Sequence, residues 1–185
     1  MVLFCSDNGP TYAHPQGSAG PFRGRKASLL EGGIRVPAIV EWPNGFPGGR
    51  VVAAPLSTSD FYPTLVALAG ARVKQQPLLD GDDVRSLLVG KTNERSRPIF
   101  FHSPLKNENA PWARADAYQA AVQTARHKLL SLDSGQTWAL YDLTDDPKEE
   151  KDLAAAQGAL VAELRGRWQK WRESCMASAG GADYQ

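Results

Sequence analysis

Three polar residues near the start of the chain carry side chains suited to binding ions. Asp7 and Asn8 directly follow the apolar run Val2–Cys5, and their oxygens are hard ligands of the kind that divalent cations prefer. Lys26 follows in a basic loop and offers a positive charge for an anionic substrate group. None of the three is a nucleophile, so the pattern indicates one part of an active site.

Asp7 and Asn8 have two interpretations. In open α/β sheets, ligand sites gather beyond the carboxyl ends of the strands, and these residues lie where a strand is expected to end. Asp-Asn-Gly is also favourable turn chemistry, so an Asx turn is the alternative. The nearby Lys26 loop favours the metal site. Calcium takes roughly 6–8 oxygen ligands, so we expect further ligands from elsewhere.

Lys26 is the candidate catalytic group and also a candidate substrate-binding group. A fixed ammonium stabilises negative charge that develops in a transition state, although an exposed lysine with no ligand is the alternative. Arg25, beside Lys26, has two open interpretations, a contact with substrate or simple exposure to solvent. His14, in the loop between the two motifs, and His102, on an expected strand, are further candidates for substrate contacts.

The residues around these candidates form two extended motifs. They are S-D-N-G-P at residues 6–10 and R-G-R-K-A-S-L-L-E-G-G-I-R-V-P at residues 23–37, with W-P following. Together they resemble the sulfatase family of the alkaline-phosphatase superfamily. The likeness continues in D-F-Y-P-T-L at 60–65, L-D-G-D-D at 79–83, R-H-K-L at 126–129 and L-Y-D-L-T-D-D-P at 140–147. It therefore extends over roughly residues 2–172.

The resemblance implies hydrolysis of sulfate esters by attack of a hydrated formylglycine on sulfur. Asp7 and Asn8 are then ligands of a divalent cation, with calcium expected and magnesium as the alternative, and Lys26 supports the sulfate oxygens. Phosphodiesterases and phosphonate hydrolases of the same superfamily share this metal-plus-lysine scheme. Phosphoryl transfer is therefore the alternative chemistry.

The family's nucleophile motif C-x-P-S-R does not occur in this sequence. The resemblance thus implies the C-terminal portion of a sulfatase. Formylglycine and the early Asp-Asp metal ligands would belong to an N-terminal sulfatase segment, which is the expected partner. We expect the chain alone to be inactive, and a non-catalytic docking half is a further alternative.

The elements that position the candidate residues have the pattern of an α/β protein. Val2–Cys5 predicts a strand buried on both faces, at the end of an alkaline-phosphatase-like, mainly parallel sheet. Residues 35–42 predict another strand. The spacing of Ser28 and Glu31 fits a capping box for one helical turn, which Gly32-Gly33 would stop.

The second half of the chain predicts a small α+β unit. Ser59 or Asp60 is the expected N-cap of a helix to Ala69, and a short helix is expected near Val84–Leu88. Apolar residues at helical spacing predict a helix that packs on a four-stranded antiparallel sheet. The strands are expected at 98–102, 118–124, 128–132 and 137–143, and the helix residues are Leu160, Leu164, Trp168 and Trp171.

These patterns divide the chain into three parts. We expect the C-terminal part of a catalytic α/β domain at 1–95, the α+β subdomain at 96–175 and a flexible tail at 176–185.

Composition limits the possible partners. The chain has 185 residues, 42% hydrophobic and 22% charged, with a net charge of +1, which is typical of a globular domain. The low net charge gives no reason to expect nucleic acid. The apolar runs are shorter than the ~20 residues that span a bilayer, so we expect no membrane span and no signal peptide in this chain. The cellular location stays open, although the resemblance implies a periplasmic or secreted complete enzyme.

Overall fold

Two sheets and four α-helices form the described part of this computed structural model, which comprises residues 1–13, 16–104 and 117–184. The strands are β1 Val2–Cys5, β2 Ala38–Glu41, β3 Ile99–Pro104, β4 Tyr118–Gln123, β5 His127–Ser131 and β6 Ala139–Asp142. The helices are α1 Glu31–Ile34, α2 Phe61–Leu68, α3 Arg85–Leu88 and α4 Gly158–Ala179, with 3-10 turns at Thr58–Asp60 and Ala182–Tyr184.

The larger sheet has the predicted antiparallel form. Its strand order is β3-β4-β5-β6, and each strand pairs with the next one along the chain, for example Leu129 with Leu140. The turn between β5 and β6 contains Ser134 and Gly135 at φ 63° and 80°, which is the left-handed backbone that tight turns require. The mixed α/β class with a four-stranded antiparallel sheet and a C-terminal helix is therefore confirmed.

Helix α4 covers one face of this sheet. Leu164 and Trp168 pack with Ala120, Val122 and Leu140 in a fully buried cluster. Alternate residues of a strand point to opposite faces, so the intervening positions of β4 and β5 need a different cover. Helix α4 also extends to Ala179, four residues into the segment expected as a tail.

The segment 29–34 covers the opposite face of the sheet. Leu29 packs with Ala121, Leu130 and Tyr141. Gln119 of β4 fixes this segment, because its Oε1 accepts from the Leu29 N–H at 3.0 Å and its Nε2 donates to the Ala27 carbonyl at 2.8 Å. The sheet thus lies between α4 and the loop that follows Lys26.

Strands β1 and β2 form a separate two-stranded antiparallel sheet. Phe4 pairs with Ile39, and both are exposed, at 60% and 63%. The prediction of a strand at Val2–Cys5 is correct. The prediction that β1 is buried on both faces is wrong for this chain, because Val2 and Phe4 are about 60% exposed. Within the described residues β1 and β2 pair only with each other, and the mainly parallel sheet stays a prediction for the complete enzyme.

The start of α1 also differs from the prediction. Leu30 occupies the N-cap position, and Ser28 Oγ accepts from the Leu30 N–H at 3.2 Å without capping the helix. Gly32 and Gly33 lie inside α1 and do not stop it. Glycine is needed at both positions because the backbone of the preceding loop packs against them and leaves no room for a Cβ.

The approach to α2 is close to the prediction. A capping box joins Ser57 and Asp60 around the 3-10 turn, and α2 begins directly after Asp60. The Asp60 carboxylate also accepts hydrogen bonds of 2.6 and 2.8 Å from the buried guanidinium of Arg95. This pair joins α2 to the segment that leads into the larger sheet. In the described ranges, no helix is both long and apolar enough to cross a membrane.

Candidate active site

The cation-ligand candidates lie in the turn that leaves β1. Asp7 is exposed and Asn8 is half-buried. Ser6 N–H donates to the Pro37 carbonyl at 3.4 Å and Gly9 N–H donates to the Gly33 carbonyl at 2.9 Å. The turn that carries the two candidates is therefore held at both ends by the segment that follows the Lys26 loop.

Lys26 lies in a loop joined to the same turn. Its N–H donates to the Pro10 carbonyl at 3.0 Å, while its side chain is exposed. Gly24 and Ala27 on either side have φ of 81° and 74°, which is left-handed backbone that a residue with a Cβ rarely adopts. The structure thus joins the Asp7-Asn8 turn and the Lys26 loop by main-chain hydrogen bonds.

Glycines make this close packing possible. A Cβ on Gly9 would overlap the Gly32 carbonyl, and a Cβ on Gly32 would overlap the carbonyl of Gly24. A Cβ on Gly33 would overlap the carbonyl of Ser28. Three backbone segments therefore lie in direct contact, and a side chain at any of these positions would separate them.

A buried ionic cluster lies beneath the loop. Lys128 Nζ is 2.9 Å from Glu31 Oε1 and 2.9 Å from Glu149 Oε1, and the three residues are at most 1% exposed. The Glu149 Oε1 contact lacks hydrogen-bond geometry, so it is an ion pair only. Burial raises the pKa of Glu149, and the Lys128 ammonium partly opposes this effect.

Sequence reasoning missed Lys128 and Glu149 as supporting residues. A signal for Lys128 was present, because Lys128 lies two residues before Leu130 in β5 and therefore faces the same side of the sheet. A charged residue on a buried face needs a charged partner. The partners come from distant segments, at Glu31 and Glu149, and no local pattern identifies them.

Of the remaining predicted site residues, the structure describes Arg25 and His102. The Arg25 guanidinium lies 5.3 Å from the centre of the Tyr12 ring and donates to the Thr11 carbonyl at 3.4 Å, so it packs on its own loop. His14 lies outside the described residues. A substrate contact by either residue stays a prediction.

His102 lies on the α4 side of the larger sheet. Its ring is 4.8 Å from that of Tyr118 and 6.2 Å from that of Trp168. Burial, with a smaller contribution from the Arg172 charge, lowers the pKa of His102. The structure does not bring His102 to the Lys26 loop, which continues into the cover of the opposite face. Its predicted substrate contact remains untested.

The donor chemistry of the Asp7-Asn8 turn suits a hard cation. A carboxylate and an amide oxygen are ligands of the type that calcium and magnesium prefer. Across residues 1–13, 16–104 and 117–184, no group of three or more His, Cys, Asp or Glu side chains could hold a metal ion. The two candidates thus fit in kind, and a full calcium shell of roughly 6–8 oxygens needs further donors.

Known proteins are similar to this chain in both sequence and fold. The family model for N-sulphoglucosamine sulphohydrolase, C-terminal, matches residues 20–174. Steryl-sulfatase of Homo sapiens is 37% identical over 194 residues, which is 89% of this chain and 33% of that protein. The crystal structure of Ps i-CgsB is similar with a TM-score of 0.77 and 30% identity, covering 91% of this chain and 35% of its own.

A phosphonate monoester hydrolase of Agrobacterium radiobacter shares the fold at a TM-score of 0.64 and 22% identity, covering 93% of this chain and 34% of its own. This chain thus spans about a third of the length of each of these proteins. The family match extends over most of the chain and includes the Lys26 loop, the larger sheet and most of α4. The chain therefore belongs to the sulfatase family and carries its C-terminal domain.

Proposed function

We propose that this chain forms one side of an active site that hydrolyses sulfate esters. The observation that carries the proposal is the joining of the two candidate motifs, through Lys26 N–H to Pro10 and Gly9 N–H to Gly33. The candidate cation ligands and the candidate anion-binding lysine thus lie on adjoining loops of a chain that belongs to the sulfatases. The side chains of Lys26 and Asp7 are exposed, so a ligand can reach them.

Each residue has a distinct role in this proposal. The oxygens of Asp7 and Asn8 would hold a divalent cation, calcium first and magnesium as the alternative, which supplies positive charge to the sulfate oxygens when bound. Lys26 binds a further oxygen of the ester and stabilises the charge that grows as the S–O bond breaks. Among the described residues Lys26 forms no ion pair, so its charge is available to the ligand.

The nucleophile belongs to another segment in this proposal. Formylglycine and the remaining cation ligands would come from an N-terminal sulfatase segment, because C-x-P-S-R does not occur in these residues. The hydrated aldehyde would supply the oxygen that bonds to sulfur as the ester S–O bond breaks, and the departing alkoxide would take a proton from the enzyme or from solvent to become the alcohol. Lys26 contributes positive charge to this step and does not become covalently modified.

Phosphoryl transfer is the second candidate function. The fold shared with the phosphonate monoester hydrolase favours it, because a divalent cation and a lysine would also suit a phosphonate or phosphate ester. An aryl phosphonate monoester carries one negative charge, as an aryl sulfate does, so the two substrates differ in the atom attacked and not in charge. Comparing their rates in one assay therefore separates the two chemistries.

The test combines this chain with an N-terminal sulfatase segment that contains C-x-P-S-R and is converted to formylglycine. With calcium present, we expect the mixture to hydrolyse a chromogenic aryl sulfate and each part alone to be inactive. K26A should lower kcat/KM by about 10²–10³-fold, as expected for loss of a charge-stabilising group. The matched control is K170A, which removes an exposed lysine from α4.

Two results would contradict the proposal. Turnover by this chain alone above the buffer rate would show that the nucleophile is not needed from another segment. Full activity of K26A in the mixture would remove Lys26 from the site. A preference for the aryl phosphonate over the aryl sulfate would instead support the second candidate function.

A further inference from the structure

Glu149 contacts both ends of the loop that carries Lys26. Its backbone carbonyl accepts a hydrogen bond from the Arg23 guanidinium, and its Oε2 accepts from the Glu31 N–H at 2.7 Å. Arg23 precedes Lys26 and Glu31 follows it. A single residue, distant in sequence and on the segment after β6, thus holds the loop on both sides.

The Glu149 side chain is fixed in turn by the larger sheet. Lys128 projects from β5 to within 2.9 Å of the carboxylates of Glu149 and Glu31, and it is fully buried. Glu149 itself has φ 59°, a left-handed backbone state that is unfavourable for a residue with a Cβ. The carboxylate is therefore held by a specific arrangement and not by general packing.

Buried ion pairs of this kind stabilise a fold less than their short distances suggest. Removing two charges from water costs about as much as their attraction returns, so a well-packed apolar core would be comparably stable. The cluster also has two carboxylates for one lysine, with Arg35 reaching Glu31 at 3.6 Å. We therefore expect the cluster mainly to set the position of the loop backbone.

The loop transmits this placement to Lys26 through main-chain hydrogen bonds. Gly32 N–H donates to the Arg23 carbonyl at 2.6 Å and Ser28 N–H donates to the Arg25 carbonyl at 3.0 Å. Lys26 N–H then donates to Pro10, next to the Asp7-Asn8 turn. Fixing both ends of the loop therefore fixes the position of Lys26 relative to that turn.

We propose that Glu149 is a positioning residue for Lys26, which acts by holding both ends of the loop while Lys128 orients its carboxylate. In the described residues, Glu149 forms no hydrogen bond or ion pair with Lys26, so its action passes through the backbone. The role in binding an anion rests on the proposed function of Lys26, whereas the effect on the loop does not. The two parts can be tested separately.

The test uses the whole chain and amide hydrogen exchange measured by NMR. E149Q keeps an acceptor for Glu31 N–H and removes the charge that pairs with Lys128. R23Q removes the guanidinium that donates to the Glu149 carbonyl, together with its contact to the Tyr141 hydroxyl. We expect the amides of Lys26 and Gly32 to exchange about tenfold faster or more in both variants, because the loop opens more often. Amides of β4 should be unchanged in R23Q.

The control is D60N, which weakens the other buried ion pair, that with Arg95. It should leave the loop amides unchanged relative to the rest of the chain. Loop exchange equal to wild type in both E149Q and R23Q would overturn the proposal. So would a uniform acceleration in E149Q with none in R23Q, since that marks a purely structural role. If E149Q does not fold, R23Q decides the outcome.

Titration with inorganic sulfate separates this inference from the proposed function. In wild type, sulfate should shift the Lys26 side-chain signals. E149Q should raise the Kd about threefold or more because the loop position changes, even though removing a negative charge would by itself lower the Kd. Absence of binding in wild type would contradict the role of Lys26 in anion binding. The exchange data would still decide whether Glu149 positions the loop.

Discussion

At the scale of single residues, the charges of the candidate site have two different environments. Lys26 and Asp7 are exposed, whereas Glu31, Lys128 and Glu149 are buried. An exposed charge keeps its water and exchanges it for a ligand at modest cost, while a buried charge must be paired within the protein. In the proposed site, ligand binding and support of the loop would therefore belong to different residues.

His102 provides a pH-dependent prediction at this scale. Burial beside Tyr118 and Trp168, together with the Arg172 charge, lowers the pKa of His102 below its ordinary value of 6.5. The folded state thus binds fewer protons here than the unfolded state. This contribution to stability is present above pH 6.5 and is lost as the pH falls through the folded-state pKa.

An NMR titration of the imidazole signals measures this pKa directly. R172Q should raise the pKa of His102 only in part, because burial is the larger cause. A pKa for His102 at or above 6.5 would show that the ring is more hydrated than its packing indicates.

At the scale of elements, local patterns predicted β3 to β6 and α4, because alternation and helical spacing are properties of neighbouring residues. The packing of residues 29–34 on the sheet was not predictable in this way. It depends on Gln119, which bonds Ala27 and Leu29 from about 90 positions away. Contacts at such separation leave no periodic signal in one sequence.

The glycines of α1 show the same limit. Gly32 and Gly33 predicted a helix stop, since glycine favours C-terminal caps. In the structure they lie within the helix and admit neighbouring carbonyls. Glycine serves both purposes, and only the three-dimensional neighbours distinguish them. The resemblance implied that the two motifs serve one site, whereas the buried support beneath them was not predicted.

Gly32→Ala is the prediction at the scale of elements. The added Cβ would overlap the backbone carbonyls of Arg23 and Gly24, which cannot rotate away as a side chain could. We expect a loss of roughly 1–3 kcal/mol in the free energy of unfolding. Urea denaturation measures this as a lower midpoint with an unchanged slope.

The matched control is Gly166→Ala, within α4. A Cβ at Gly166 has open space around it, and alanine favours a helix interior over glycine by roughly 0.5–1 kcal/mol. The two substitutions should therefore change stability in opposite directions. A neutral or stabilising effect of G32A would mean that the contact between the loop backbone and α1 is looser than described.

At the scale of the whole molecule, burial is unevenly distributed. The larger sheet is covered on both faces, by α4 and by residues 29–34. The smaller sheet has an exposed apolar face formed by Val2, Phe4 and Ile39, each about 60% exposed. These side chains share one face because Phe4 and Ile39 are paired and alternate residues point the same way.

An isolated two-stranded sheet with such a face is marginal in water and favours association. The proposed N-terminal sulfatase segment would cover this face, since the chain spans about a third of the length of its relatives. In its absence, we expect the chain to self-associate through the β1–β2 surface. The average mass measured by sedimentation velocity should rise as the protein concentration increases.

Phe4→Ser tests whether this surface is responsible. Removing one large apolar side chain from the contact should raise the dissociation constant of self-association at least tenfold, given roughly 25 cal/mol per Å² of apolar area buried. Val51→Ser is the matched control, because Val51 is 89% exposed outside both sheets and should leave association unchanged. Equal association of wild type and F4S would place the contact elsewhere. Suppression by the N-terminal segment in wild type would identify the β1–β2 face as the surface that the segment covers.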